Sequence, residues 1–130
     1  MYYRILIVDD SSTTRAMISR ILNLSKLPIG QLYEAGNGQE ALESLAQNWI
    51  DLVITDINMP QMNGLELVRR MAADRQLSTT PVIVISTEGS EERINELKAL
   101  GIAGFLRKPF TPEAVRDLVV EILKDVKSDV

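Results

Sequence analysis

The chain has 130 residues and contains neither cysteine nor histidine. The first absence excludes disulfides, thiol nucleophiles and thiolate metal sites. The second excludes imidazole bases, triads built on histidine and histidine-ligated metals. Long hydrophobic runs are missing too. Ile5-Leu6-Ile7-Val8 stops at Asp9 and is too short for a signal-peptide core or a membrane span, so a cytoplasmic protein without membrane insertion is expected. There is no surplus of positive charge, since 14 basic residues face 18 acidic ones for a net of −4, and direct nucleic-acid binding is not expected. The chemistry is left to carboxylates, hydroxyls, Lys, Arg and backbone. What is present is ordinary for a globular protein, with 45% apolar and 25% charged residues. A chain of this length makes one domain, residues 1–130, and can bury roughly two-thirds of its surface without staples.

The apolar residues are patterned. Ile5-Leu6-Ile7-Val8, Leu52-Val53-Ile54-Thr55 and Val82-Ile83-Val84-Ile85 are continuous aliphatic or β-branched runs, the mark of strands buried on both faces. Gln31-Leu32-Tyr33-Glu34-Ala35 is a weaker, alternating strand, and a short strand is predicted over roughly Gly104 to Arg107. Each strand is followed by apolar residues at helical spacing. Asp10-Ser11-Ser12 offers cap candidates for the first helix. Asn37 with Glu40 forms a capping-box pattern, a third helix runs from about Gly64, Ser90 can cap a fourth that Gly101 stops, and Thr111-Pro112 opens the last. Five strand–helix units in succession predict a doubly wound α/β fold, a parallel sheet covered by helices on both faces. Ligands of such sheets sit beyond the carboxyl ends of the strands.

Those ends carry Asp9-Asp10, Gly36, Asp56, Ser86-Thr87 and Lys108. If the first and third strands are neighbours, three carboxylates converge, and their repulsion of several kcal/mol calls for a cation or a proton. An oxygen-only set suits Mg²⁺. A carboxylate nucleophile, a divalent cation, the Ser86 hydroxyl and the Lys108 ammonium together make a phosphoryl-transfer site.

Ile-Val-Asp-Asp at 7–10, Asp-Ile-Asn-Met-Pro-Gln-Met-Asn-Gly at 56–64, Ser86 and Lys-Pro-Phe at 108–110 stand in order at the strand ends. Across the whole chain this resembles the receiver domains of two-component response regulators, most closely the single-domain, chemotaxis-type, CheY-like members. The resemblance, not the periodicity, implies a flavodoxin-like three-layer (βα)5 sandwich with strand order 2-1-3-4-5, for which this family is a standard example. It implies that Asp56 accepts a phosphoryl group from a phosphohistidine of a sensor histidine kinase. It further implies that Asp10, Asp56 and the Asn58 backbone carbonyl hold Mg²⁺ while Asp9 acts mainly through a metal-bound water. Lys108 would pair first with Asp56 and then with a phosphoryl oxygen, Ser86 would bond another, and the Lys108-Pro109 peptide would be cis.

The same resemblance assigns a switch to Ser86 and Phe105, changing the face of the fourth helix, fifth strand and fifth helix toward a downstream protein. Simple packing of Phe105 against the last helix is the plainer alternative. Asn58 and Glu88 resemble the pair that tunes self-dephosphorylation. With no output domain expected after the fifth helix, the protein reads as a signalling phosphoacceptor rather than an enzyme. A phosphorelay intermediate passing the group to a phosphotransfer protein is the alternative. An aspartyl-phosphate phosphatase is disfavoured because Asp9-Asp10-Ser11 lacks D-x-D spacing. Gly36-Asn37-Gly38-Gln39-Glu40-Ala41 fits the G-x-G-x-x-A pattern of dinucleotide sites, but it follows a polar strand and reads better as a tight turn with a cap at Asn37.

Overall fold

The computed structural model describes residues 2–87 and 90–128, with side chains described as far as Lys124. Strands and helices alternate as β1 (Tyr3–Val8), α1 (Ser12–Leu24), β2 (Ile29–Ala35), α2 (Gly38–Gln47), β3 (Leu52–Asp56), α3 (Gly64–Ala73), β4 (Val82–Ser86), α4 (Glu91–Ala99), β5 (Gly104–Arg107) and α5 (Pro112–Ser128). The strands pair in parallel in the order β2-β1-β3-β4-β5, the flavodoxin-like arrangement.

Period-two alternation sends the two sides of each strand into different cores. Ile5, Ile7, Ile54, Ile83 and Ile85 meet Ile18 and Leu22 of α1 and Val115, Val119 and Leu123 of α5. Leu6, Val8, Val53 and Val84 meet α2, α3 and α4 through Ala41, Leu45, Leu67, Val68, Met71 and Leu97. Both faces of β1, β3 and β4 are thereby buried, as their unbroken aliphatic runs require.

Local chemistry sets the helix starts. Among the cap candidates of α1, Ser11 takes the role, its hydroxyl accepting from the Thr14 N–H at 3.2 Å. Asn37, Asn63, Ser90 and Thr111 cap the later helices in the same way. The capping-box pattern predicts that Glu40 accepts from the Asn37 backbone N–H, but its carboxylate accepts from the Gly36 N–H at 3.0 Å and from the Asn37 side-chain amide at 3.4 Å. β2 begins at Ile29, ahead of the alternating segment, because Tyr3 pairs with Ile29 across a register shift. Gly101, at φ 89°, closes α4 in the left-handed region that glycine enters without strain.

Candidate functional site

Because Val8 pairs with Thr55, the residues that follow, Asp9 and Asp56, reach the same level above the sheet. Asp10 joins them, and one oxygen from each of the three carboxylates lies within 4.8 Å of the others. Asp9 and Asp56 are 3% and 9% exposed, whereas Asp10 faces solvent. Asp9 is fixed on one side by the Ser11 N–H, which donates to its Oδ1 at 2.9 Å. Asp56 Oδ1 accepts from the Ile57 N–H at 2.8 Å.

Lys108 comes from the end of β5, where its backbone N–H donates to the Ser86 carbonyl at 2.9 Å. Its Nζ stands 3.4 Å from Asp9 Oδ2 and 3.6 Å from Asp56 Oδ2, between the two buried acids. The Lys108-Pro109 peptide is cis. Ser86 is fully buried at the end of β4, one residue beyond the Ile85 that pairs with Asp56.

Burial pushes the Asp56 carboxyl above its ordinary range. Loss of solvation is the largest cause, the Lys108 ammonium opposes it, Asp9 reinforces it, and the Ile57 N–H opposes it. One ammonium facing three carboxylates leaves the cluster under-neutralised. The donors are all oxygens, two of the three carboxylates are shielded from water, and the third opens to solvent. That donor set fits a hard divalent cation that keeps part of its water shell, as Mg²⁺ does.

The loop after β3 is held by close backbone contact. A Cβ on Gly64 would lie 2.1 Å from the Asp56 carbonyl oxygen, so no larger residue fits there. The Gly64 N–H donates to the Ile57 carbonyl at 2.8 Å. Within this loop Asn58 is exposed, Met62 is buried, and Gln61 adopts φ 65°. Phe105 is partly buried and packs on the cluster that contains Val84 and Leu97, not on the α5 side of the sheet. The α5 side is occupied instead by Leu118, whose Cδ2 lies 2.9 Å from where a Gly104 Cβ would be. Glu88 lies outside the described residues.

Two participants escaped the sequence reading. Arg15, on α1, donates from Nη1 to the Asp9 carbonyl at 2.5 Å and from Nε to Glu34 at 2.9 Å, tying the end of β1 to β2. Its place one turn into a helix next to the acids is the only sequence signal for it. Gln61 has none, because nothing marks a non-glycine residue for positive φ. The Gly36-Asn37-Gly38 segment forms the turn and cap expected of it, with Asn37 buried. Among the described residues, no helix is long and apolar enough to cross a membrane.

Residues 5–120 match the family model described as response regulator receiver domain. The chain is 40% identical to a chemotaxis protein CheY homolog of Campylobacter jejuni over 122 residues, 92% of either chain. It is 43% identical to chemotaxis protein CheY1 of Helicobacter pylori, covering 92% of this chain and 96% of that one. Its fold superposes on the solved structure of the chemotaxis response regulator CheY4 of Vibrio cholerae with a TM-score of 0.84, at 34% identity, over 94% of this chain and 99% of the other.

Proposed function

The chain belongs to the response regulator receiver domain family, and from that premise we propose that it is a chemotaxis switch in the cytoplasm, set by phosphorylation of Asp56 by a sensor histidine kinase. The observation that carries this reading is the convergence of Asp9, Asp10 and Asp56 within 4.8 Å, with the Lys108 ammonium 3.6 Å from Asp56.

In the reaction, an Asp56 carboxylate oxygen attacks phosphorus, a P–O bond forms, and the P–N bond to the kinase imidazole breaks. The leaving imidazole keeps the bonding electron pair and takes up a proton. Ile57 holds the carboxylate in place by its N–H, which fixes the attack geometry before the phosphoryl group arrives. Asp10, Asp56 and the Asn58 carbonyl would hold Mg²⁺, and Asp9 would act on it through water. Bound there, Mg²⁺ supplies positive charge against the phosphoryl oxygens.

Lys108 turns from Asp9 and Asp56 to one phosphoryl oxygen, and the Ser86 hydroxyl turns to another. Phe105 then moves further inward behind Ser86, and the face of α4, β5 and α5 changes for a downstream partner. Phe105 carries no hydroxyl, so its outward position has no hydrogen bond of that kind to hold it. Asn58 flanks the route of the water that later hydrolyses the acyl phosphate, and Glu88 is its proposed partner there.

The test is phosphorylation by acetyl phosphate with Mg²⁺, read by intact mass. The wild type gains one phosphoryl group through a base-labile bond, and Asp56→Ala gains none. Full labelling of Asp56→Ala overturns the assignment.

A further inference from the structure

The Gly36-Asn37-Gly38 turn divides its polar groups between Glu40 of α2 and another loop. The Gly38 N–H donates to the Met62 carbonyl at 2.9 Å. The Asn37 side-chain amide donates to Gln61 Oε1 at 3.2 Å, while the same side chain accepts from the Glu40 N–H at 2.9 Å as the cap of α2. Approach this close needs glycine, because a Cβ on Gly38 would stand 2.7 Å from Met62 Cγ and 2.8 Å from its carbonyl oxygen. Gln61, the residue so gripped, is the one held at φ 65°, a conformation that costs a non-glycine residue energy and persists only where its surroundings impose it.

The loop between β3 and α3 is therefore fastened at two places. Gly64 closes it onto Ile57, and the β2–α2 turn closes it from the side at Gln61 and Met62. Asn58 lies between these fastenings. On its other flank the turn is continuous with the acids. The Gly36 N–H is held by Glu40, and nearby Arg15 links Glu34 to the Asp9 carbonyl.

We infer that Asn37 and Gly38 are positioning residues for the divalent cation, acting through Gln61 and Met62 to hold the loop that presents the Asn58 carbonyl. The inference rests on the metal reading given under Proposed function. Its physical basis is the narrow tolerance of Mg²⁺, which demands near-octahedral oxygens at about 2.0 to 2.1 Å, whereas Ca²⁺ accepts irregular shells. A carbonyl set loose by a fraction of an ångström costs Mg²⁺ far more than Ca²⁺. General damage to the fold weakens both alike.

The experiment is calorimetric titration of the full chain with Mg²⁺ and with Ca²⁺. Asn37→Ser keeps a cap acceptor but loses the amide donor, and Gln61→Met keeps the length of the side chain but loses the acceptor. Each is expected to weaken Mg²⁺ about tenfold, as removal of outer-shell partners does, and Ca²⁺ less than about twofold. Asn37→Ser also removes the bond from the Asn37 amide to Glu40 Oε2 at 3.4 Å, so the double variant should lose no more than Asn37→Ser alone, which already lacks the bond to Gln61. Gln61→Glu, which retains an oxygen acceptor, should bind Mg²⁺ at least as well as the wild type. If Mg²⁺ affinity in both single variants stays close to that of the wild type, or if Mg²⁺ and Ca²⁺ fall equally, the inference is overturned. A wild type that binds no Mg²⁺ overturns the metal reading and the inference with it, so the two failures are told apart by the wild-type titration alone.

Discussion

The central strands β1, β3 and β4 and the edge strands β2 and β5 contribute different things to one site. The central three are buried almost residue for residue, and they deliver Asp9, Asp56 and Ser86 into a dry setting. The edge strands are half-exposed along their length. They deliver the Gly36 turn, which grips a neighbouring loop, and Lys108, a long cation reaching in from the side. The two carboxylates and the hydroxyl nearest the sheet come from strands buried on both faces. The long cation and the turn that braces the neighbouring loop come from half-exposed strands. Central burial also accounts for the raised Asp56 carboxyl, since the shielding that immobilises it also removes its solvent.

The most forceful way to break this contrast is to open cavities in both kinds of strand. Ile54→Ala in β3 removes a side chain that is 1% exposed and should cost about 3 to 5 kcal/mol in urea unfolding. Leu32→Ala in β2, where the side chain is only partly buried, should cost about 1 to 2 kcal/mol. Equal losses would erase the distinction between centre and edge.

A smaller effect, of opposite sign, comes from the buried acid itself. The Asp56 carboxyl holds its proton more tightly folded than unfolded, so its contribution to stability is fully present below its ordinary value of 3.8 and is lost as pH rises through the higher folded value. Asp56→Asn removes that loss. In metal-free buffer at pH 7 the variant should be more stable than the wild type, with the gain shrinking toward acid pH. A variant less stable than the wild type at pH 7 would contradict the burial argument.

The smallest effect is expected at the surface. Arg69 of α3 meets Glu96 of α4 at 3.2 Å with both side chains well solvated, so Arg69→Ala should shift stability by less than about 1 kcal/mol. A larger shift would mean that the outer layer matters as much as the edge strands do.

The contrast also governs what could be read in advance. Unbroken runs such as Val82-Ile83-Val84-Ile85 announce a strand buried on both faces, and an acid or a hydroxyl directly after such a run is conspicuous, so Asp9, Asp56 and Ser86 were legible. The start of β2 was not, because its first residues are held by pairing with the beginning of β1 rather than by any pattern of their own. Strand order came from resemblance alone, since a right-handed crossover fixes handedness and not which neighbour is chosen. Glu40 shows the limit of capping rules, which place a carboxylate near the helix start without deciding which of two adjacent N–H groups it takes. Gln61 was invisible, since its backbone conformation is imposed by a loop distant in sequence.

Trp49, the sole tryptophan, is 73% exposed, and its indole N–H donates to Asp51 at 2.9 Å, beside the amino ends of β1 and β3. A five-residue strand separates that end from the acids, about 16 Å at the usual rise per residue. The one indole therefore marks the pole opposite the carboxylates, and a molecule that docks beside the amino ends of β1 and β3 meets it directly.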